Sequence, residues 1–100
     1  MDQFLVHITA VLHQIPHGKV TTYGTLAHMA GYPSHARQVG KALSNLPDNT
    51  KLPWHRVVNS QGKIALKGPA AELQEKLLVQ EGIEISPSGK IALAIYLWKP

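Results

Sequence analysis

The reactive side chains of this sequence converge on one stretch, "LPWHRVVNSQGKI", residues 52–64. A proline delivers Trp54, His55 and Arg56 in succession, and the paired Val57 and Val58 follow at once. A polar His–Arg step entering an apolar strand has the layout of a site's lip. Covalent chemistry there would need a nucleophile, yet Trp54 is none and the chain contains no cysteine. The same absence removes a disulfide framework and a thiolate zinc site. The histidines do not replace them: Pro16 separates His13 from His17, and neither His7 nor His28 has a carboxylate at metal-ligand spacing. No metal and no cofactor are expected.

The elements that must position this stretch can be read from periodicity. Phe4, Leu5, Ile8, Val11, Leu12 and Ile15 share one helical face over residues 2–15, with Asp2 as N-cap and Pro16 and Gly18 closing the segment. A second helix is expected from Thr21 or Thr22 through "TTYGTLAHMA" to Gly31. "GYPS" then makes a tight turn in which Pro33 blocks continuation and Ser34 suits a cap. A third helix over 35–45 turns Val39, Ala42 and Leu43 inward and His35, Arg37, Gln38 and Lys41 outward. Two short helices around a Gly-containing turn outline a helix-turn-helix. "WHRVV", "NSQG" and "KIAL" read as two strands around a turn. A helix over 70–81 carries Leu73, Leu77 and Leu78 and stops at Gly82; a hairpin about Pro87 and Gly89 and the apolar "AIYLWKP" follow. The expected fold is mostly α with small β elements, in one domain spanning 1–100.

Charge narrows the partner. Between Lys19 and Lys67 lie seven basic residues and one acid, Asp48, whereas the remainder has three basic residues and five acids. A basic middle is the footprint of a polyanion binder, nucleic acid foremost. The 44% hydrophobic content fits a folded domain. No apolar run approaches the roughly 20 residues needed to span a bilayer, so no membrane partner is expected. Asp2 and Gln3 do not open a secretory signal, and an intracellular location, cytoplasmic or nucleoid, is expected.

Four motifs occur in order: "IPHGKVTTYGTLA", "ARQVGKAL", "PWHRVV" and "LLVQEG". Together, over about residues 4–85, they resemble the C-terminal domain of the O6-alkylguanine-DNA alkyltransferases, a winged-helix-like helix-turn-helix DNA-binding fold. In that family the residue between Pro and His-Arg is the cysteine that accepts the alkyl group. Here it is Trp54. That replacement, with the closing "YLWKP", is similar to the alkyltransferase-like proteins, so recognition without transfer is implied.

The resemblance implies a role for each matching position. A lesion on guanine O6 lies inside the duplex, so inspecting it requires flipping the nucleotide out. Arg37 takes the finger position, where a guanidinium can fill the vacated stack and bond the orphaned cytosine. Tyr23 crowds the target phosphate and reaches the flipped base. Ala36, Gly40 and Ala42 permit close approach in the minor groove, where shape is read more than sequence. Thr21, Ser34, Gln38, Lys41 and Ser60 are the expected backbone contacts. Pro53, Trp54 and Val57 are expected to wall the base pocket, with Lys67 near the base. "ALKGPAAEL" departs from the alkyltransferases' glycine-rich loop and implies a pocket of different width, open to bulkier adducts. His55 and Glu81 match the pair that activates the thiol in the enzymes; here a structural hydrogen bond is the expectation, and no residue is assigned as catalytic.

The function implied is a non-enzymatic DNA-damage sensor. It binds duplex DNA containing O6-alkylguanine, acts as a monomer, and flags the lesion for nucleotide excision repair proteins. Two alternatives stand beside it: a residual hydrolase working through His55 and Glu81, and a helix-turn-helix transcription factor reading the major groove.

Overall fold

In a computed structural model, residues 2–100 are described. Helix α1 (Gln3–Leu12) starts where Asp2 accepts the Phe4 N–H at 3.0 Å and buries Ile8 and Leu12. It stops short of the expected residue 15. Pro16 has no N–H to donate and disfavours helical backbone at Ile15, so residues 13–15 unwind through short-range bonds such as Ile15 N–H to the Leu12 carbonyl. Ile15 still reaches the core.

Strand β1 (Thr21–Thr22) leads directly into α2 (Tyr23–Met29), with Thr22 as N-cap accepting the Thr25 N–H at 3.1 Å. After the "GYPSH" turn comes α3 (Ala36–Ser44). The turn differs from expectation at its end. Ser34 is exposed and does not cap α3; His35 occupies the cap position without a side-chain bond to the helix. His35 packs instead with Phe4 and Tyr32, at centroid separations of 5.9 and 5.7 Å. Aromatic packing onto α1 thus sets where α3 begins.

The expected "WHRVV"/"KIAL" hairpin is corrected by the structure. Trp54–Arg56 wind into a single 3-10 turn, and β2 (Val57–Val58) pairs in parallel with β1, Thr21 opposite Val57 and Thr22 opposite Val58. Successive strand residues face opposite ways, and both valines are fully buried. Val57 enters a cluster with Ile8, Leu12, Leu26 and Val39, while Val58 joins Val20, Leu78, Ile83 and Ile91. A hairpin with one wet face could not bury both. Beyond β2, Asn59 Oδ1 accepts the N–H groups of Gln61 and Lys63 at 2.9 Å, and Lys63 then bridges to Lys90.

Helix α4 (Gly68–Gln80) starts two residues earlier than expected because Pro69 suits the first turn. Of its three leucines only Leu78 is buried; Leu73 is 48% exposed. Gln74 is buried in their place, its Nε2 donating to the carbonyls of His55 and Val57 at 3.0 and 2.9 Å. The tail folds back through an Ile85–Ile91 antiparallel bridge around Gly89, then a short α5 (Leu93–Tyr96). Leu97 bridges Val20 in parallel, so the chain entering β1 is flanked by the tail and by β2. Among the described residues no helix is long and apolar enough to cross a membrane.

Candidate nucleic-acid interface

Helix α3 is strongly two-sided. Val39 is buried and Leu43 packs on the same cluster, whereas Arg37, Gln38 and Lys41 are exposed. At 3.6 residues per turn, Arg37 and Lys41 lie one above the other with Gln38 beside them. Both ion pairs among the described residues involve Glu81, so the α3 cations are unneutralised. Ala36 is half-buried and Ser34 is exposed in the preceding turn. Ser60 is exposed too, but on the separate turn after β2. Thr21 must be removed from the surface contacts: it is fully enclosed, its hydroxyl without a partner, in a strand paired with β2 just after Val20 bridges the tail.

Behind α3 an open cleft of about 490 Å3 lies between its C-terminal half, the 46–50 loop, Trp54 and the start of α4. Tyr23, the first residue of α2, and Trp54 both line it. The Tyr23 ring covers Gly40 of α3, where an added Cβ would sit 3.8 Å from the ring carbons. Burial raises the Tyr23 phenol above its usual 10.0, so it stays a neutral donor at neutral pH. Leu43, Leu46, Leu66, Leu73 and Leu77 supply most of the remaining wall.

Three residues expected in the wall are elsewhere. Pro53 is buried ahead of the 3-10 turn, and Val57 is fully buried because its side chain enters the core cluster of Ile8, Leu12, Leu26 and Val39. Lys67 is exposed just outside the cleft, next to Leu66, which does line it. The leucines were missed as lining because Leu43, Leu73 and Leu77 have helical spacing that reads as core. The available signal was the excess of apolar residues on α4 over what one buried stripe requires.

Below the cleft, His55, Arg56 and Glu81 form a closed network. His55 Nε2 lies 2.5 Å from Glu81 Oε2. Arg56 donates through Nε to both carboxylate oxygens at 3.0 Å and through Nη2 to Oε2 at 2.8 Å. Its Nη1 donates to the Ile15 carbonyl at 2.8 Å, and the Gly18 N–H donates to Glu81 Oε1 at 2.8 Å. Burial alone would raise the Glu81 pKa; Arg56, then the Gly18 N–H and His55, outweigh it and hold the carboxyl at about 2. A carboxylate so occupied has little basicity left for water. The network clamps the end of α4 to the 54–56 turn and to the loop after α1. Among the described residues no group of three or more His, Asp or Glu is arranged to hold a metal ion.

Comparison with known proteins agrees with this geometry. The family model described as the DNA binding domain of 6-O-methylguanine DNA methyltransferase matches residues 3–83. A DNA base-flipping protein of Vibrio parahaemolyticus is 65% identical over 100 residues, spanning 100% of both chains. Alkyltransferase-like protein 1 of Schizosaccharomyces pombe is 42% identical, over 100% of this chain and 98% of its own. The crystal structure of S. pombe Atl1 in complex with damaged DNA containing O6-carboxymethylguanine matches with a TM-score of 0.90, covering 100% of this chain and 98% of that one. The O6-methylguanine methyltransferase of Mycobacterium tuberculosis matches at a TM-score of 0.73 and 32% identity, over 81% of this chain and 49% of its own.

Proposed function

The chain belongs to the 6-O-methylguanine DNA methyltransferase DNA-binding family, in its alkyltransferase-like branch, and from that premise we propose that it is a non-enzymatic sensor of O6-alkylguanine in duplex DNA. Acting as a single monomeric unit inside the cell, it approaches the minor groove with α3, turns the modified nucleotide out and holds it in the cleft between Tyr23 and Trp54. Arg37 fills the vacated stack. Ser34, Ala36, Gln38, Lys41 and Ser60 meet the backbone, and Lys67 stands at the mouth of the cleft. The complex then marks the lesion for nucleotide excision repair.

The observation that carries this reading is the pairing of an open cleft beside Trp54 with a chain that has no cysteine. An indole wall supports stacking and apolar contact with an alkylated base, and offers no atom to take the alkyl group. Hydrolysis through His55 and Glu81 is disfavoured, since Glu81 accepts from Arg56, Gly18 and His55 at once. Small side chains on α3 and shape-based minor-groove contact fit binding that is indifferent to sequence, unlike a transcription factor.

A competition titration tests it, setting O6-methylguanine duplex against intact duplex in several sequence contexts while mass spectrometry follows the base. Lesion preference in every context with the base recovered unchanged is expected. Equal affinity for intact and modified guanine, or recovery of dealkylated base, overturns the reading.

A further inference from the structure

Asp48 is the one charged side chain among the residues lining the Trp54 cleft. It is also the only acid between Lys19 and Lys67, where seven basic residues lie. Despite those neighbours it has no ion-pair partner; both ion pairs among the described residues involve Glu81. A carboxylate on a DNA-facing surface opposes the phosphate field, so duplex binding as such does not explain it. The two hydroxyls of the 44–50 rim are engaged locally. Ser44 Oγ donates to the Lys41 carbonyl at 2.8 Å, and Thr50 Oγ1 accepts the Leu52 N–H at 3.2 Å. What remains is a carboxylate without an ion pair on a wall of leucines, Trp54 and the uncharged Tyr23, where it is the one formal charge.

We propose that Asp48 is a specificity-determining residue of the cleft, ranking O6 adducts by the charge of their terminus. An ionised carboxylate only accepts hydrogen bonds. It favours adducts ending in an ammonium or hydroxyl and disfavours those ending in a carboxylate. Apolar walls, and a duplex closed over the mouth, strengthen that discrimination by excluding water. Lys67 is exposed beside Leu66 and outside the lining, so it does not neutralise the wall. The inference rests on the base-flipping reading and names the adduct class that the cleft prefers.

The test is competition binding of the full chain with four duplexes identical except at one guanine: intact, O6-carboxymethyl, O6-(2-hydroxyethyl) and O6-(2-aminoethyl). The three adducts are close in size and share the same phosphates, so their ratios isolate terminal charge. Carboxymethyl should bind more weakly than hydroxyethyl by roughly five- to tenfold, and aminoethyl more tightly, as expected for unit charges a few ångströms apart in a partly screened cleft. Asp48→Asn should compress the whole span to within about twofold, with melting unchanged because Asp48 is exposed on a loop. A wild-type ranking that ignores charge, tightest binding of carboxymethyl, or a ranking unaltered by Asp48→Asn overturns the proposal. If no adduct outcompetes intact guanine, the base-flipping reading itself falls and this inference falls with it, a pattern distinct from the others.

Discussion

Arg56 and Glu81 form a forked ion pair, three N–H···O contacts of 2.8–3.0 Å, with both side chains largely withdrawn from water at 16% and 7% exposure. Because Arg56 also reaches the Ile15 carbonyl and Glu81 the Gly18 N–H, the pair binds the α1 exit, the 3-10 turn and the end of α4 together. Glu81→Gln leaves Arg56 buried without its counter-charge and should cost about 2–4 kcal/mol. Urea denaturation at neutral pH measures this.

The same carboxyl makes stability fall in acid. Its pKa drops from 4.5 to about 2 on folding, so the unfolded chain binds the proton more readily. The stabilisation is complete above the unfolded value and is lost as pH falls through about 4.5 to 2. A shift from 4.5 to about 2 is worth on the order of 3 kcal/mol. Denaturation midpoints taken stepwise between pH 6 and pH 2 should show that loss in the wild type, with a shallower decline in Glu81→Gln.

Gly62 and Gly40 should respond oppositely to alanine. Gly62 has φ +80, and a Cβ there would meet the Ile91 carbonyl oxygen at 2.5 Å, a backbone atom that cannot step aside. Gly62→Ala should lose about 2–4 kcal/mol through strain and a broken tail contact. At Gly40 the added methyl meets only the Tyr23 ring at 3.8 Å. Gly40→Ala, within α3, should hold or gain up to about 1 kcal/mol. Thermal melts of both variants decide it.

Arg37 is exposed and without an ion pair, so Arg37→Ala should leave stability within about 0.5 kcal/mol. If it fills the stack, the variant should lose lesion preference, closing the gap between modified and intact duplex by roughly tenfold or more. Lys41→Ala should weaken both duplexes alike and reduce the salt slope by about 1. Titrations at several salt concentrations separate the two roles; retained discrimination in Arg37→Ala removes the finger assignment.

Trp54→Cys restores a sulfur at the position the enzymes use, and it should transfer little or no methyl group. Trp54 is half-buried against the cleft leucines, so the smaller side chain leaves a gap. Leu66, Pro69, Ala70 and Leu73 of the "ALKGPAAEL" segment line that cleft. The segment departs in sequence from the transferases' glycine-rich loop, so a geometry suited to transfer is not expected to return with the sulfur alone. Rapid methyl uptake from an O6-methylguanine oligonucleotide, read by intact-protein mass, would refute this.

The helices were legible because their signals are local. Asp2 and Thr22 cap α1 and α2 through their own side chains, and Val39 and Leu43 fall on one turn-spaced face. Tyr23 and Trp54, singled out from motif position, do meet in one cleft. Strand pairing was misread where "VV" is followed by a turn: its partner, Thr21–Thr22, lies far back in sequence, and no local signal prefers it to the adjacent "KIAL".

By itself the sequence determined the absence of a thiol, the basic middle and the order of the four motifs, since these are properties of residue identity that folding cannot alter. Only the tertiary structure decided which side chains face out. It buried Thr21 and Val57 in the parallel β1–β2 pair and left Leu73 on the cleft wall. It also joined Arg56 to Glu81, 25 positions apart in the chain. Burial depends on what packs against a residue, and that neighbour is set by long-range closure of the chain, which no local spacing encodes.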